Sequence, residues 1–375
     1  MNNVIKVCTK CIMDTTAQEI TFDKDGVCNY CLEYNEKVNY RGFDSNSPSV
    51  EFNKIVGNIK NSNKRKKYNC LIGISGGVDS TYLTYFAKQL GLKPLAVHLD
   101  NGWDSELAVS NIELALKKLN IDLYTHVINW EEFKDLQLSF IKSSTPDLEI
   151  PTDHAIYALL MHLANKMGIK YVLTGLNFKD ESIMPSSWSY GHADWRYIKN
   201  IHKIFGSKKL KTFPHYSLFY LFYTIILRRV KIISLMNYIE YDKTEAIKIL
   251  ENELGWRKYE GKHFESIYTR FYQAYYLPKK FNIDKRKAHY SNQINNGTLS
   301  RSKALLLMGE PACPLDTIGK DKKFLLKKFN ISESEFDGYI LASKKSFNDY
   351  PNNFKLLKTI RKLVSFLRQN RIIPK

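Results

Sequence analysis

The pattern of hydrophobic and polar residues changes twice along the 375-residue chain. Between residues 68 and about 200, short apolar runs alternate with segments in which apolar residues recur at helical spacing. This alternation predicts an α/β fold with a parallel sheet and helices on both faces, because parallel strands need a long crossover between them. The predicted strands are Tyr68–Ile74, Pro94–Leu99, Asp122–Ile128 and Lys170–Thr174, and the predicted helices are Asp79–Leu90, Ser105–Leu119, Trp130–Ser143 and Asp153–Met167.

The sequence on either side of this region differs in composition. Residues 1–40 contain few apolar positions, and residues 41–67 are polar and basic, which favours a linker with one short helix. After residue 205 the alternation stops, and the remaining sequence has helical character with aromatic and basic residues mixed. We therefore predict an N-terminal module at 1–40, a linker at 41–67, a ligand-binding α/β domain at 68–205 and a helical region at 206–375.

One segment of the helical region, residues 215–236, is strongly apolar and aromatic, with basic residues before and within it. Its longest apolar run, Ser217–Leu227, is shorter than the roughly 20 residues that span a bilayer. Three interpretations stay open: a buried helix of the second domain, a docking surface for a partner protein, or a helix lying on an anionic membrane.

The chain is basic, with 56 Lys and Arg against 38 Asp and Glu and a formal net charge of +18. Such a charge favours polyanionic partners such as phosphates, nucleic acid or an anionic membrane, although a solvated helical face also accounts for it. The C-terminal tail lacks the regular mixing of basic and aromatic residues of a strand-binding groove. The N-terminal sequence MNNVIKVCTK has no apolar stretch typical of a signal peptide, so we expect a cytoplasmic protein.

Four of the six cysteines form two CxxC pairs, Cys8 with Cys11 and Cys28 with Cys31. Two such pairs supply the four thiolates of a tetrahedral zinc site. A segment of about 40 residues builds little hydrophobic core, so a metal would supply its folding energy. We predict a structural zinc ribbon at 1–40, with an iron–sulfur centre as the alternative.

A glycine-rich loop, Ser75-Gly76-Gly77-Val78-Asp79-Ser80, lies between the first predicted strand and its helix. The glycines let the backbone approach phosphates, and the amides of the first helical turn bind anions. Ser75 and Ser80 add hydroxyl donors, and Asp79 is suited to hold Mg²⁺. The spacing is neither that of a Walker loop nor that of a dinucleotide fingerprint. The residues that follow the other strands, including Asp100 and Gly175, should lie at the same edge of the sheet.

With its S-G-G-x-D-S loop after the first strand, the region from 68 to 200 resembles the ATP-pyrophosphatases, or PP-loop enzymes. That superfamily includes GMP, NAD, asparagine and argininosuccinate synthetases and tRNA thiolases. The resemblance implies cleavage of ATP between the α and β phosphates, adenylation of a substrate oxygen, and displacement of AMP by nitrogen or sulfur.

Longer stretches resemble one narrower family, the N-acetyl sugar amidotransferases of lipopolysaccharide O-antigen and flagellin nonulosonic acid pathways. The stretches are CxxCIMDTT at 8–16, DKDGVCNYC at 23–31, SGGVDSTYL from 75, HLDNGWDSELAVSNIE from 98, PTDHA from 151, LTGLNFKDE from 173, SWSYGHADWRYI from 187, GKHFESIYTRFYQAYYLPKKFNIDKRKAHYS from 261 and GTLSRSKAL from 297. This resemblance implies conversion of an acetamido group of a nucleotide-linked sugar into an acetamidino group. It also implies ammonia supplied by partner glutaminase and cyclase-like subunits.

The resemblance assigns roles to residues of this chain. The residues expected to bind ATP with Mg²⁺ are Ser75, Gly76, Gly77, Asp79, Ser80, Asp100, Gly175 and Glu181. Those expected at the sugar nucleotide are Trp188, Tyr190, His192, Asp194, Arg196, Arg270 and Arg301. We expect Asp79, Lys285 and Arg286 to act in catalysis, and His98 and His154 to be structural or next to the adenine.

A tRNA-thiolating enzyme is the rival interpretation, since it would also combine cysteine ribbons, this loop and a basic surface. Many such enzymes carry Lys at the position of Val78 and use a cysteine pair, whereas Cys70 and Cys313 have no obvious pairing. We therefore expect no nucleic acid partner. A nucleotide-binding adaptor without catalysis is a third possibility, against which the intact loop argues.

Overall fold

The computed structural model describes residues 5–40, 48–261 and 263–369. Its centre is a parallel sheet of five strands in the order β3-β2-β1-β4-β5. The strands are β1 (Cys70–Gly73), β2 (Pro94–Asp100), β3 (Leu123–Val127), β4 (Tyr171–Leu173) and β5 (Lys231–Ile233). Each strand of the predicted set is present, and the predicted parallel α/β fold is confirmed.

The order of the strands places the ligand site. The chain starts at the centre with β1, adds β2 and β3 on one side, and then crosses to add β4 and β5 on the other. Ile72 of β1 pairs with Ala96 of β2 and with Leu173 of β4. The carboxyl ends of β1 and β4 therefore diverge into loops on opposite faces of the sheet, and ligands bind in the crevice that this reversal opens.

Sixteen α-helices lie in the described ranges. They are α1 (Asn29–Tyr40), α2 (Pro48–Asn61), α3 (Val78–Gln89), α4 (Glu106–Leu119), α5 (Trp130–Ser143), α6 (Ile150–Met167), α7 (Phe178–Glu181), α8 (Trp195–Phe205), α9 (Leu218–Phe222), α10 (Lys243–Ile249), α11 (Ile267–Phe271), α12 (Arg286–Asn295), α13 (Arg301–Met308), α14 (Leu315–Phe329), α15 (Glu333–Leu341) and α16 (Phe354–Gln369). π-helical turns extend α9, α10 and α11 over Tyr223–Leu227, Leu250–Leu254 and Tyr272–Phe281, and short 3-10 helices cover Leu235–Tyr238 and Phe347–Asp349.

Local sequence explains where several helices begin and end. The Ser105 side chain accepts a hydrogen bond from the amide of Ala108 and starts α4, and Asn120 ends it in the left-handed conformation. Gly91, with φ of 71°, follows α3 as expected. The hydrophobic core surrounds β1 and β2, whose residues are almost all buried, whereas β3 is an exposed edge strand.

The structure corrects two expectations for the sequence after residue 205. The alternation does not stop there, because β5 adds a fifth parallel strand beside β4. Residues 215–236 are not one helix, since α9 and its π-helical turn end at Leu227 and β5 follows. Phe219 and Phe222 are 77% and 53% exposed, so a buried helix is also wrong for their side chains. None of the helices in the described ranges is long and apolar enough to cross a membrane.

Candidate active site

The predicted phosphate loop connects β1 to α3, and its backbone packs closely against α4. Gly76 has φ of 77°, and a Cβ there would lie 2.6 Å from the Ala108 carbonyl oxygen. Gly77 precedes α3, so no side chain caps the first amides of this helix. The Ser75 and Ser80 hydroxyls lie 3.2 Å apart and hydrogen-bond within the loop. Uncapped amides beside two hydroxyl groups form the anion-binding geometry of a helix N-terminus.

Residues far along the chain hold this loop in place. The Gly76 carbonyl accepts hydrogen bonds from Trp256 Nε1 at 2.9 Å and from the Tyr259 hydroxyl at 3.0 Å. Gly175, after β4, packs against the first turn of α3, where a Cβ would lie 3.0 Å from the Ser80 nitrogen. Two segments outside the loop therefore set the path of its backbone.

Asp79 lies in the first turn of α3 and has two partners from the segment after β5. Its carboxylate accepts hydrogen bonds from the Tyr241 hydroxyl at 2.5 Å and from Lys243 Nζ at 3.3 Å. Burial opposes the charge of Lys243, but the contact with Asp79 outweighs it and raises the lysine pKa. A cation that sequence reasoning missed therefore lies beside the loop.

Two cavities meet at the loop. The loop cavity, of about 500 Å³, is lined by Ser75, Gly77, Val78, Asp79 and Ser80 together with residues between 243 and 312. The acidic cavity, of about 490 Å³, lies beyond the ends of β1, β2 and β4 and opens on the carboxylates of Asp104, Asp147, Glu149, Asp153, Glu181 and Glu265. Ser75, His263, Glu265, Gln273, Lys285 and His289 line both cavities.

Five cationic side chains line the loop cavity: Lys243, Lys258, Arg270, Lys285 and Arg286. Arg270 is fixed by a bidentate ion pair with Asp321, with both contacts at 2.7 Å, and Arg286 is fixed by Asp284 at 2.7 Å. Lys285 is buried, and its ammonium lies 5.1 Å from the centre of the Tyr272 ring. These cations supply positive charge where phosphates would bind.

Glu265 is the most informative residue that sequence reasoning missed. The segment around it pairs with the loop after β2, since the Ser105 amide donates to the Glu265 carbonyl at 2.8 Å. This pairing brings the Glu265 carboxylate within 3.4 Å of the position that a Cβ on Gly77 would take. Burial would raise the pKa of Glu265, but His263, whose Nδ1 lies 3.5 Å away, outweighs it and the pKa is lowered.

Asp79 belongs to the loop, Glu265 lines both cavities and Glu181 lines the acidic cavity, and carboxylate oxygens are the ligands that Mg²⁺ prefers. Within the described ranges, only the cysteines form a compact group of metal ligands. A Mg²⁺ ion held by one or two of these carboxylates would complete its coordination with phosphate oxygens and waters.

The acidic cavity holds three carboxylates at the N-terminus of α6. Burial, followed by the charges of neighbouring acids, raises the pKa of Glu149 to about 8. Asp153 is accessible from the cavity, and the surrounding cavity walls, followed by the charge of Asp147, raise its pKa to about 7. Asp147 accepts a hydrogen bond from the Ser189 hydroxyl at 2.6 Å. None of the three was singled out from the sequence, because no local spacing marks them.

Several residues expected at the sugar nucleotide lie elsewhere. Three of them are buried: Trp188, Tyr190 and Asp194. The Tyr190 ring stacks on Phe347, and its hydroxyl donates a hydrogen bond to the Asp194 carboxylate. Asp194 caps α8 through the Tyr197 amide, Arg196 is exposed, and the His192 ring stacks on Tyr157. From this stretch Ser189 lines the acidic cavity, as does Tyr157.

Three further expectations have clear outcomes in the structure. Asp100 lies outside the linings of both cavities and accepts a hydrogen bond from the Gly102 amide, while Asn101 and Asp104 take the cavity positions. His98 lines the acidic cavity between the Ile74 carbonyl and Asp104. His154 is buried with its pKa lowered to about 3, mainly by burial, so it is a neutral structural residue.

The four predicted cysteines come together at the N-terminus. All four are fully buried, and their sulfur atoms lie within 4.8 Å of one another. The Cys11 and Cys28 sulfurs are 3.6 Å apart, close to the separation expected of thiolates bound at about 2.3 Å from a tetrahedral zinc. The donor set and the geometry therefore fit a structural zinc ion.

This cysteine module is docked onto the elements that line the cavities. Arg301, expected at the substrate, instead donates to the carbonyls of Cys8 and Cys11, each at 3.0 Å. Asp14 pairs with Lys287 of α12 at 2.5 Å. Glu19 accepts hydrogen bonds from Ser186 and Ser187 at 2.7 and 2.6 Å. The module thus supports α12, which carries Arg286 and His289.

Comparisons with known proteins agree with this geometry. Residues 265–363 match the family model described as LPS biosynthesis protein WbpG-like, C-terminal domain. The chain is 28% identical over 121 residues to the tRNA-specific 2-thiouridylase MnmA of Flavobacterium johnsoniae, covering 28% of this chain and 30% of that protein. It is 38% identical over 77 residues to the tRNA(Ile)-lysidine synthase of Chlamydia pneumoniae, covering 20% and 24%. The matched segments thus span less than a third of either curated relative.

Among solved structures, the chain is similar to a predicted subunit of tRNA methyltransferase from Methanocaldococcus jannaschii, with 13% identity and a TM-score of 0.29. That alignment covers 48% of this chain and 73% of the other. A score of this size adds no argument about function. The loop, the parallel sheet and the two curated relatives support a place in the PP-loop superfamily, and residues 265–363 are similar to the C-terminal domain of the WbpG-like LPS biosynthesis proteins.

Proposed function

We propose that this protein is an ATP-dependent amidotransferase that converts the acetamido group of a nucleotide-linked N-acetyl sugar into an acetamidino group. The products are AMP and pyrophosphate, and the pathway is the synthesis of surface polysaccharide. One observation carries the proposal: the phosphate loop lines a cavity that adjoins an acidic cavity, and Lys285 lines both.

The loop cavity is suited to the phosphates of ATP. The uncapped amides of α3 and the Ser75 and Ser80 hydroxyls would hold the pyrophosphate end. Lys243, Lys258 and the buried Lys285 would neutralise charge on the leaving pyrophosphate. When bound through Asp79, Glu181 or Glu265, Mg²⁺ would neutralise phosphate charge and orient the chain of phosphates.

The acidic cavity is suited to a sugar. Its volume lies within the range of about 300–1,000 Å³ typical of small-molecule sites. The carboxylates of Asp104 and Asp147 can accept hydrogen bonds from sugar hydroxyls, and Ser189 and Tyr157 line the same cavity. The same carboxylates would repel a phosphate backbone, which favours this function over tRNA thiolation.

The amidine product gives a second reason for an acidic cavity. An amide is a poor electrophile, and adenylation of its oxygen creates an imidate with AMP as the leaving group. Replacement of that oxygen by nitrogen yields an amidinium cation. Carboxylates near the reacting carbon stabilise the positive charge that develops there.

Ammonia would come from partner glutaminase and cyclase-like subunits. A glutaminase needs a reactive thiolate, and both cysteines outside the ribbon are buried. Burial raises the pKa of Cys70 to about 12 and that of Cys313 to about 11, so neither thiol is activated at neutral pH. The exposed segment around Phe219 and Phe222 is a candidate docking surface for such a partner or for an anionic membrane.

The test is mass spectrometry after incubation with ATP, Mg²⁺, ammonium chloride and a panel of nucleotide-linked acetamido sugars. We expect AMP, pyrophosphate and a sugar whose mass falls by the difference between O and NH. Formation of ADP and phosphate would contradict adenylation. Co-purified tRNA that gains sulfur under the same conditions would favour the rival function.

A further inference from the structure

Three neighbouring residues at the start of α6, namely Glu149, Thr152 and Asp153, line the acidic cavity. Glu149 occupies the N-cap position of this helix, yet its carboxylate does not cap the helix. Its Oε1 is buried and has no hydrogen-bond partner among the described residues. The same holds for Oγ1 of Thr152, whose side chain is only 8% exposed. Asp153 follows in the first turn of α6.

Unused buried acceptors are costly, and proteins keep them where a ligand satisfies them. Glu149 Oε1 and Thr152 Oγ1 can both accept hydrogen bonds, and the accessible Asp153 carboxylate lines the same cavity, so a ligand that satisfies this group brings several hydrogen-bond donors. With three carboxylates in one cavity, a cationic donor is favoured over a neutral one. A small cation with several N–H groups, namely ammonium, meets both requirements.

The surroundings of Glu149 include both signs of charge. The charges of Asp153 and Asp147 raise the pKa of Glu149, and the charge of Lys285 lowers it. The Thr269 side chain lies close enough to lower the pKa of Glu149, and the charge of Glu149 helps to raise the pKa values of the Tyr268 and Tyr272 hydroxyls. Burial and the neighbouring acids together raise the pKa of Glu149 to about 8, which suits a base that works near neutral pH.

We propose that Glu149, Thr152 and Asp153 form an ammonium site in which the nucleophile of the reaction is held and deprotonated. This role rests on the proposed amidotransferase function. It names Glu149 as the general base and Asp153 as the second proton acceptor. No part of the comparisons or of the sequence resemblance assigns these residues a role.

The protons balance over two carboxylates. Ammonium gives one proton to Glu149, and the nitrogen lone pair forms a C–N bond with the carbon of the O-adenylated amide. The tetrahedral adduct then gives a second proton to Asp153. The C–O bond breaks, the former amide oxygen leaves with AMP, and two protons stay on the new nitrogen of the amidinium cation.

Binding is tested first, without any sugar. The melting temperature of the full-length protein is measured at pH 8.5 in ammonium chloride and in sodium chloride at equal concentration. We expect ammonium to stabilise the wild-type protein more than sodium does, because it satisfies Glu149 and Thr152. This difference should vanish in Glu149→Gln and remain in Glu131→Gln, an exposed acid of α5. A wild-type protein that does not distinguish the two salts overturns the ammonium site.

Catalysis is tested with the acetamido sugar that supports turnover. In Glu149→Gln we expect amidine formation to fall by at least about 100-fold, the usual contribution of a general base. Exchange of labelled pyrophosphate into ATP, which reports adenylation alone, should continue in this variant. Thr152→Val, which deletes only the unpartnered hydroxyl, should raise the KM for ammonium more than it lowers kcat. Full amidine formation in Glu149→Gln, or equal loss of both activities, overturns the assignment.

The two proposals fail in different ways. If no sugar supports exchange or amidine formation while ammonium still stabilises the protein through Glu149, the amidotransferase function is wrong and the ammonium site stands. If sugar-dependent exchange proceeds but Glu149→Gln makes amidine at the wild-type rate, the function stands and the base is wrong.

Stability provides a further readout. An acid whose pKa is raised on folding stays neutral in the folded protein while it ionises in the unfolded chain, so stability is lost as pH rises from the ordinary pKa of 4.5 to the folded value of about 8. Glu149→Gln should therefore melt at a higher temperature than wild type at pH 8.5, with the difference shrinking toward pH 5. A variant that is less stable at every pH would mean that the carboxylate is structural.

Discussion

At the scale of single residues, Gly175 decides where the phosphate loop lies. A Cβ at this position would be 3.0 Å from the Asp79 carbonyl carbon and from the Ser80 nitrogen, both of which are backbone atoms. We expect Gly175→Ala to displace the loop, to weaken ATP binding and to cost about 1–3 kcal/mol of stability. Calorimetric titration with ATP and thermal unfolding measure both effects.

The matched control is Gly57→Ala in α2, where a Cβ meets no atom within 4 Å among the described residues. That change should leave ATP binding unaltered and stabilise the helix slightly. Equal ATP affinity in wild type and Gly175→Ala would contradict the close approach of the two loops.

Asp79 is the residue whose charge matters most at the loop. Its carboxylate is about one-third exposed and balances Lys243, so Asp79→Asn should fold normally. We expect turnover to fall by at least about 100-fold, because the charge that orients phosphates and metal is lost. Release of pyrophosphate is the measurement. Tyr241→Phe, which removes a partner of Asp79 but keeps the charge, should retain most activity.

Among single residues, those that belong to a local motif could be predicted from the sequence. The loop at Ser75–Ser80 was identified because six consecutive residues carry its chemistry. Arg301 was assigned to the substrate because a cation near matched residues suits phosphate, but its guanidinium binds the carbonyls of Cys8 and Cys11. A residue's type alone does not say which way its side chain points.

At the scale of elements, α9 and its π-helical turn present an apolar face that the fold leaves uncovered in the described ranges. Phe219, Phe222 and Leu227 are 77%, 53% and 63% exposed, and Arg229 and Lys231 follow closely. An apolar patch beside basic residues fits either a partner protein or an anionic membrane surface. Of the three interpretations of this segment, a buried helix is wrong for these exposed side chains, although Tyr216 before α9 and Thr224 in the π-helical turn are buried.

We expect the double variant Phe219→Ser with Phe222→Ser to fold, with a change in unfolding free energy within about 1 kcal/mol, because exposed side chains contribute little. Tyr216→Ser is the buried comparison, since this ring stacks on His154 at 4.3 Å. It should lose about 3–5 kcal/mol. Thermal unfolding measures both. Unfolding of the double variant would mean that the segment is core.

The same double variant separates the two docking partners. A protein-docking surface predicts loss of glutamine-dependent activity in the reconstituted complex, with ammonium-dependent activity intact. A membrane surface predicts loss of binding to vesicles that contain anionic lipid, with both activities intact. If neither property changes, this element has no docking role.

At the scale of the whole molecule, the cysteine module and the active site form one connected structure. The module contacts α12 through Asp14 and Lys287, and it contacts the loop before α8 through Glu19 and Ser187. The α12 helix in turn carries residues that line the cavities. Loss of the metal is therefore expected to propagate from the ribbon to the site.

Cys28→Ser should lose zinc, unfold the module and reduce turnover, even though the cysteines lie outside both cavities. The binding energy at stake is on the order of 10 kcal/mol. Metal analysis and activity are measured on the same sample. Cys313→Ser, at a buried cysteine outside the ribbon, is the control and should keep its zinc. Full activity in a zinc-free Cys28→Ser protein would separate the ribbon from the site.

The sequence by itself determined the features that depend only on residues close together along the chain. Strand–helix alternation predicted four of the five strands, the CxxC spacing predicted the sulfur cluster, and consecutive glycines and serines identified the loop. In each case, the spacing of residues within a short segment is enough to indicate the structure that the segment forms. Such signals need no knowledge of which distant segments meet.

Only the tertiary structure decided what surrounds the loop. Glu265, Lys243 and Trp256 lie more than 160 residues after the loop and reach it because β5 and the C-terminal helices fold back over the sheet. Because β5 has only three residues, it is too short to show the alternation of apolar and polar positions that identifies a strand. The acidic cavity exists because α6 and the segment around Lys285 meet across a crevice, and no local spacing encodes a contact between residues so far apart.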